Sequence, residues 1–193
     1  GVGTLHEASP PSRPLFRLGR WPDPLAWLSW GLVGRGRFDD PGWRFRVLYA
    51  SAQRRGCFVE MLAPFRPVLV TAAESVVAGA SVPLVRLPST WHQTLCLRRL
   101  RLLPAQRWLD LRDLGTRETL RVALAPTLVQ LGLIDLDAGT IREPRRVVTQ
   151  AVAAWAYEQS FQGIVYPSRL DDRVTCWAIF EGAACQSVGA PQP

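Results

Sequence analysis

The chain has 193 residues, 48% of them hydrophobic, and a formal net charge of +7. That length and apolar content suffice for one domain with a substantial core, and they exclude a chain that is disordered throughout. No apolar run approaches the ~18 residues that a membrane-spanning helix needs, and the N-terminus lacks a secretory pattern, so the sequence predicts a cytoplasmic protein.

The cysteine count and the net charge indicate which kinds of ligand and partner the protein binds. The chain has 4 cysteines and 2 histidines without any C-x-x-C pair, which predicts buried free thiols and no metal site. All 23 basic residues are arginine, a bias that codon usage explains as well as function does. The net charge favours an anionic partner or substrate. A nucleic-acid-binding module remains an alternative, although the arginines do not follow one aromatic-lined stripe.

The first third of the chain predicts a leader, a loop, a strand and a helix. Residues 1–14 are polar and proline-rich, which predicts a flexible leader before a single domain of residues 15–185. A tryptophan-rich segment with closely spaced Gly, Pro and Asp is typical of a packed loop. "WRFRVLYA" alternates as a strand, and "SAQRRGCFVEMLAPF" predicts a helix from the N-cap Ser51 to Pro64.

The remaining elements mix strands and helices. "PLVRL", "LCLRRLRLL", "GIVYP" and "VTCWAIF" predict strands, and "RETLRVALA" predicts a helix that breaks near Pro126. The clearest helix is "EPRRVVTQAVAAWAYEQS", in which Val148, Val152 and Trp155 share one face. Residues 186–193 are expected to be a frayed tail. Because no regular βαβ alternation is present, the pattern predicts an α+β fold with a largely antiparallel sheet.

Familiar catalytic motifs are missing from the sequence. No glycine-rich phosphate motif lies between a strand and a helix, and His6 and His92 are poorly placed for a serine–histidine pair. Glu60 is more interesting, since it flanks the apolar stripe of its predicted helix and is expected to be half exposed. A solvated helix carboxylate is the commoner role for a residue in that position.

Four further residues are candidates, each with an ordinary alternative. Arg17 lies in an alternating strand that can point it inward, whereas Arg37 in "GRGRFDDPG" is typical of a solvated loop arginine. Tyr49 at a strand end is most often a core or rim aromatic. Ser168 follows Pro167 at the end of a strand, and it either closes a polar turn or stands at the rim of a pocket for an anionic ligand.

The order of these motifs is more informative than any one of them, because it resembles the RES domain family. The motifs run "LFRLGR", "GRGRFDDPG", "VLYAS", "CFVEML", "DLRDLG", "VVTQAVAAWAY" and "GIVYPSRL". That family is named for its Arg, Glu and Ser, and it supplies the toxin of RES–Xre toxin–antitoxin pairs. The resemblance runs from about Leu15 to Phe180 and is weakest between Phe65 and Leu103. Phe38 stands where the family usually has tryptophan.

The resemblance implies a fold similar to diphtheria-toxin-type ADP-ribosyltransferases, with a mostly antiparallel split sheet and flanking helices. It implies an enzyme that degrades NAD by cleaving the nicotinamide–ribose bond, with water or inorganic phosphate as the acceptor. NAD is then the substrate and no cofactor is needed. The implied partner is a small Xre-type antitoxin that covers the pocket, with no membrane contact and nucleic acid only through the antitoxin. Protein ADP-ribosylation and dinucleotide binding without turnover are the alternatives.

The resemblance also assigns roles to the candidate residues. Glu60, Arg37, Tyr49 and Ser168 match the family's catalytic positions, and Arg17, Arg37, Tyr49 and Ser168 match NAD-binding positions. A carboxylate stabilises the positive charge of an oxocarbenium-like state, and a guanidinium can grip a diphosphate in a bidentate manner. Tyr49 is then expected to stack on or hydrogen-bond the nicotinamide end. Ser168 is expected to hold a phosphate or a ribose hydroxyl.

Overall fold

The computed structural model of the protein describes residues 3–66, Val77 and residues 88–192. The described strands are β1 (Glu7–Ala8), β2 (Leu15–Arg20), β3 (Val47–Ser51), β4 (Leu95–Leu102), β5 (Trp108–Asp110), β6 (Gly163–Pro167), β7 (Thr175–Phe180) and β8 (Cys185–Gln192). The described α-helices are α1 (Arg54–Met61), α2 (Trp91–Thr94), α3 (Leu114–Ala123), α4 (Ala125–Gln130), α5 (Ala138–Arg142) and α6 (Val147–Glu158). Short 3₁₀ turns occupy Trp30–Leu32 and Ala63–Phe65. The expected strand "PLVRL" lies outside the described residues.

The strands form an 8-stranded sheet in the order β1-β5-β6-β7-β3-β2-β4-β8. Within it β5 and β6 run parallel, and the other neighbouring strands run antiparallel. The predicted α+β class with a mostly antiparallel sheet is therefore confirmed. The two halves of the sheet meet at β2 and β3, and the register between these two strands contains the single pair Phe16 and Ser51. The sheet is thus nearly divided at this point, which agrees with the split sheet that was expected.

Apolar side chains are buried on both faces of the sheet. Helix α6 packs against β6 on one face, where Val152 and Phe180 belong to the larger apolar cluster. On the opposite face Trp108 and Trp177 meet edge to face, with ring centroids 5.3 Å apart, and Trp27 of the tryptophan-rich loop packs on that cluster. Alternate residues of β6 and β7 point to opposite faces of the sheet. Because both faces are covered, the two strands are almost completely buried.

Both chain ends pair with the sheet, which corrects two sequence-based expectations. The residues expected to form a flexible leader include β1, which pairs with β5, and Asp110 N–H donates to the carbonyl of His6 at 3.1 Å. Residues 186–192, which were expected to fray, belong to the edge strand β8, which pairs with β4 from Leu102 to Leu97. Main-chain hydrogen bonds hold these edge strands, and a polar, proline-rich composition does not reveal them.

The start of helix α1 also differs from its prediction. Gln53 occupies the N-cap position, while Ser51 is the last residue of β3. The Ser51 hydroxyl instead accepts a hydrogen bond from the main-chain N–H of Gln53 at 3.2 Å. Continued pairing of β3 with β7 up to Cys176 keeps Ser51 extended, so the helix begins later than the serine suggests.

The side chains of Arg17 and Cys57 donate hydrogen bonds to main-chain carbonyls near the junction of β2 and β3. Arg17 Nη1 donates to the carbonyl of Tyr49 at 2.8 Å, and its Nε donates to the carbonyl of Pro24 at 2.6 Å. Cys57 Sγ donates to the carbonyl of Phe16 at 2.9 Å. Burial lowers the pKa of Arg17 to about 10 and raises the pKa of the Cys57 thiol to about 11. Side chains therefore satisfy main-chain carbonyls at the point where the strand ladder is interrupted.

We expect the substitution Arg17→Met to lower the free energy of unfolding by about 1–3 kcal/mol, because it removes the donors to two carbonyl groups in a buried setting. Urea denaturation followed by circular dichroism measures the change. Arg101→Met is the control, since Arg101 is an exposed residue of β4. Equal stabilities of the two variants would show that Arg17 does not support the junction of β2 and β3.

Candidate active site

Glu60 and Ser168 meet where helix α1 approaches the end of β6. The Ser168 hydroxyl donates a hydrogen bond to the Glu60 carboxylate and accepts the main-chain N–H of Leu170 at 3.0 Å. Its own N–H donates to the carbonyl of Val174 at 2.9 Å. Ser168 is fully buried and Glu60 is half-buried. The serine therefore lies inside the hydrogen-bonded turn that follows β6, in contact with the carboxylate.

The loop that carries Arg37 is organised around the Asp39 carboxylate. Asp39 is only 4% exposed, and it accepts the main-chain N–H groups of Gly34 at 3.0 Å and Gly36 at 2.7 Å. It also accepts the Tyr49 hydroxyl at 2.8 Å, and that hydroxyl accepts the N–H of Phe38 at 2.9 Å. The Asp39 carboxylate and the Tyr49 hydroxyl thus connect the loop to strand β3 through hydrogen bonds.

Helix α6 holds the same loop from its other side. Gln150 Nε2 donates to the carbonyls of Gly34 and Gly36, both at 3.0 Å. Thr149 Oγ1 donates to the carbonyl of Arg37 at 2.6 Å. The main chain on both sides of Arg37 is therefore fixed before any ligand binds.

Gly36 is required by the close packing of this loop. A Cβ atom at Gly36 would overlap the Asp39 carboxylate and the Tyr49 hydroxyl. Both groups are held by hydrogen bonds and cannot retreat without breaking them. The glycine of "GRF" is thus a consequence of the hydrogen-bonded loop and not of a special backbone angle.

Arg37 belongs to this loop, and Glu60 is close enough to affect the pKa of its guanidinium. Its Nη1 donates to the carbonyl of Ile141 at the end of helix α5, and the side chain is half-buried. Burial lowers the pKa of Arg37, while the nearby Tyr166 and Glu60 oppose that effect and Arg169 adds to it. The structure thus brings together Arg37, Tyr49, Glu60 and Ser168. In the described part of the chain, Arg17 reaches this group through its hydrogen bond to the main-chain carbonyl of Tyr49.

The comparisons with known proteins show the family and the fold of the chain. The family model of the RES domain matches residues 14–193. The chain belongs to the RES domain family. A search of curated protein sequences gives no significant match. The fold is similar to that in the crystal structure of the M. tuberculosis MbcT–MbcA toxin–antitoxin complex, with a TM-score of 0.58 and 15% identity over 95% of this chain and 85% of that chain.

The charge state of this RES domain site follows from burial. Burial raises the pKa of Tyr49 and of Tyr166 well above the ordinary value for tyrosine, and it also raises the pKa of the Cys176 thiol. These groups therefore stay neutral at physiological pH. The Asp39 carboxylate is enclosed by its donors. Among the residues that the structure describes near Arg37, Glu60 is a carboxylate that is half-buried and open to a ligand.

The described part of the RES domain contains neither a candidate metal site nor a helix that could span a membrane. Over residues 3–66, Val77 and 88–192, the structure contains no group of three or more His, Cys, Asp or Glu residues placed to hold a metal ion. None of the described helices combines the length and apolar content needed to cross a membrane.

Sequence reasoning missed the residues that position Arg37. Asp39 lies two residues after Arg37, and an acidic residue so close to a loop arginine is a weak signal for a local network. Thr149 and Gln150 are polar residues of an amphipathic helix, and the default interpretation of such residues is solvation. Only the packing of α6 against the loop shows that they are donors to it.

We expect Asp39→Asn to lower the free energy of unfolding by about 1.5–3 kcal/mol, because the charged acceptor of two N–H groups and one hydroxyl is lost. Chemical denaturation measures this effect. Glu143→Gln is the control, since that carboxylate lies 3.8 Å from Arg145 in an exposed pair. A loss of the same size in both variants would contradict the organising role of Asp39.

Proposed function

We propose that this RES domain is the toxin of a toxin–antitoxin pair and cleaves the nicotinamide–ribose bond of NAD. The observation that carries the proposal is the Glu60 carboxylate, half-buried, hydrogen-bonded to Ser168 and within electrostatic reach of Arg37. Family membership supports it, because the sequence motifs that resemble the family's NAD-degrading members include these same residues.

The geometry suits a reaction that needs one carboxylate. Breaking an N-glycosidic bond passes through an oxocarbenium-like state, and nicotinamide leaves as a neutral base that needs no proton. Glu60 stabilises the positive charge that develops on the ribose, and water or inorganic phosphate then attacks the ribose carbon. Tyr166 and Cys176 near it are neutral because burial raises the pKa of each, so they add no charge to that of Glu60.

Arg37 and Tyr49 position the dinucleotide in this proposal. Arg37 Nη1 donates to the carbonyl of Ile141. Its Nε and Nη2 have no acceptor among the described residues, so these are the donors that bind the diphosphate. The Tyr49 hydroxyl is engaged with Asp39 and Phe38, which favours stacking of its ring on nicotinamide over hydrogen bonding. Arg17 contributes indirectly, by holding the main chain of Tyr49.

Ser168 acts through Glu60 in this proposal. Its hydroxyl is committed to the carboxylate and to the turn that follows β6, so it is a positioning residue for Glu60. This role differs from the direct contact with phosphate or ribose that the family resemblance suggested.

The partner in the proposal is a small helical antitoxin of the Xre type that covers the pocket. The solved structure with the similar fold is a complex of a toxin with an antitoxin. The net charge of +7 favours an acidic surface on such a partner.

Purified protein, free of antitoxin, is expected to consume NAD and release nicotinamide, with ADP-ribose or its phosphorylated form as the other product. Chromatography of reactions with and without phosphate measures both. Glu60→Gln keeps the size of the side chain but removes its charge, so we expect turnover to fall by ~10²–10³ with little change in the Michaelis constant.

Glu118→Gln is the control for that experiment, because Glu118 is an exposed carboxylate of helix α3. Intact NAD after long incubation with folded protein would overturn the proposal. Consumption of NAD only when an acceptor protein is added would indicate an ADP-ribosyltransferase instead.

Ser168→Ala tests the positioning role. If Ser168 acts through Glu60, the variant lowers kcat about 10-fold or more with a nearly unchanged KM, because the carboxylate loses its orientation. Adding Ser168→Ala to Glu60→Gln then produces little further loss, since the two residues act as a unit. A raised KM with unchanged kcat would show that Ser168 contacts the substrate directly.

A further inference from the structure

The two edges of the sheet differ in length and in protection. Strand β1 at one edge has 2 residues, whereas β8 at the other edge has 8 residues. Natural sheets block long edges with charged side chains, prolines, bulges or a covering element, because free main-chain groups allow another strand to pair. β8 carries no charged side chain, so its outer edge lacks one of these protections.

The second half of β8 is protected by its backbone. Gly189 has a φ of 72°, and the register with β4 shifts between Leu97 and Arg99. Such a bulge bends the strand, and Pro191, which follows it, has no N–H to donate. Residues 185–188 contain neither feature and pair regularly with β4. An added strand can therefore pair with this stretch.

The hydrogen bonding of β8 shows which main-chain groups face outward. The N–H of Leu103 donates to the carbonyl of Ala184 at 3.1 Å, and these two residues extend the register of β4 and β8 by one position. Hydrogen-bonded and non-hydrogen-bonded pairs alternate along an antiparallel ladder. Gln186 therefore bonds to β4, whereas the N–H and C=O groups of Cys185 and Ser187 point away from it. These outward groups have no partner among the described residues.

Two arginine side chains of β4 lie on one face of the sheet beside this edge. Arg99 and Arg101 are exposed, while the alternate residues Leu100 and Leu102 are buried on the opposite face. A Cβ atom on Gly189 would lie 2.9 Å from Arg99 Nη2, so this guanidinium reaches over the main chain of β8. Neither arginine makes an ion pair with a residue that the structure describes.

The charge of these arginines is not balanced by the surrounding strands. β2, β4 and β8 contain no Asp or Glu. Glu181, which precedes β8 in the chain, is paired with Arg46, and Glu7 is paired with Arg107. In the part of the chain that the structure describes, the two arginines of β4 therefore leave an excess of positive charge beside the edge.

We propose that residues 185–188 bind an extended acidic segment of another protein, which adds an antiparallel strand to the sheet. The outward groups of Cys185 and Ser187 supply the main-chain hydrogen bonds. Every second side chain of the added strand then projects on the face of Arg99 and Arg101. Strands with one strand between them lie about 10 Å apart, a distance that an arginine and a glutamate side chain span together. The partner is thus recognised by acidic residues at alternate positions.

The charge favours this partner over a second copy of the chain. A second copy paired through β8 would bring its own Arg99 and Arg101 to the same face, and like charges that meet at an interface are unfavourable. The surface is also distinct from the candidate active site, because β4 separates β8 from β2, the strand on which α1 and its residue Glu60 pack. The inference therefore goes beyond NAD cleavage.

Fluorescence polarisation of the full chain with a labelled synthetic peptide, in which threonine and glutamate alternate, tests the site. Threonine favours an extended strand, and in the antiparallel pairing its N–H groups face β8 while the glutamates lie on the arginine face. We expect saturable binding that weakens about 10-fold or more when the threonine N–H groups are methylated. The matched control peptide carries the same methyl groups on the glutamate N–H groups, which point away from β8, and it should bind as the unmethylated peptide does.

Ser187→Pro tests the same edge from the side of the protein. Proline removes an N–H that points away from β4, so the ladder with β4 stays intact, and we expect peptide binding to weaken about 10-fold or more. Ser187→Ala keeps the N–H and is the matched control. Arg101→Gln should weaken binding about 3-fold, whereas Arg20→Gln leaves it unchanged, because the exposed Arg20 lies opposite Leu95 at the far end of β4. Circular dichroism confirms that each variant is folded.

Absence of saturable binding would overturn the site. Equal binding of the two methylated peptides, or equal weakening by Arg101→Gln and Arg20→Gln, would overturn it as well, because either result indicates diffuse charge. Sedimentation of the protein alone tests the other occupant: a dimer that Ser187→Pro dissociates would assign the edge to a second copy, and a monomer supports the acidic partner. Nicotinamide release is measured separately and does not depend on this edge.

Discussion

The hydrogen bond from Ser168 to Glu60 joins the two parts of the chain on which the candidate site depends. A half-buried carboxylate is unfavourable unless donors compensate for its lost hydration. Ser168 can act as that donor because β6 and the turn after it fix its main chain, and the N–H groups of Leu170 and Asp171 in that turn donate to its hydroxyl oxygen. The position of Glu60 thus depends on where β6 ends, which depends in turn on the pairing of β6 with β5 and β7.

A second constraint is the interruption between β2 and β3. Main-chain groups that lack a strand partner need other donors and acceptors, and buried side chains provide them here. Arg17 bonds the carbonyl of Tyr49 on one side of that residue, while the Tyr49 hydroxyl holds Asp39 on the other. The same tyrosine therefore links the junction of the sheet to the loop of Arg37, so fold stability and site geometry share one set of contacts.

The arginines divide into groups with different physical roles. Arg17 is buried and completes the hydrogen bonding of the main chain, while Arg37 stands half-buried beside a carboxylate. Others, such as Arg107 and Arg121, form exposed ion pairs that contribute little to stability. The net charge is consequently a poor guide to function, and the local partners of each guanidinium decide what it does.

The amino-acid sequence by itself determined the fold class, the long helix α6, the strands β4, β6 and β7, and the set of motifs that resembles the RES family. The helix and the strands follow from local periodicity, since alternation predicts a strand and a 3.6-residue repeat predicts a helix. The family resemblance rests on the order of the motifs. The sequence could not show that the terminal residues form edge strands, because β1 is two residues long and β8 shows no regular alternation of buried and exposed side chains.

Only the tertiary structure decided the roles of individual polar residues. Ser168 at a strand end is equally compatible with an exposed rim and a buried support, and its contact with Glu60 lies 108 residues away in sequence. Asp39, Thr149 and Gln150 form one network only because α6 packs against the Arg37 loop. Hydrogen bonds act over about 3 Å in space, so separation along the chain carries no information about them until the fold brings donors and acceptors together.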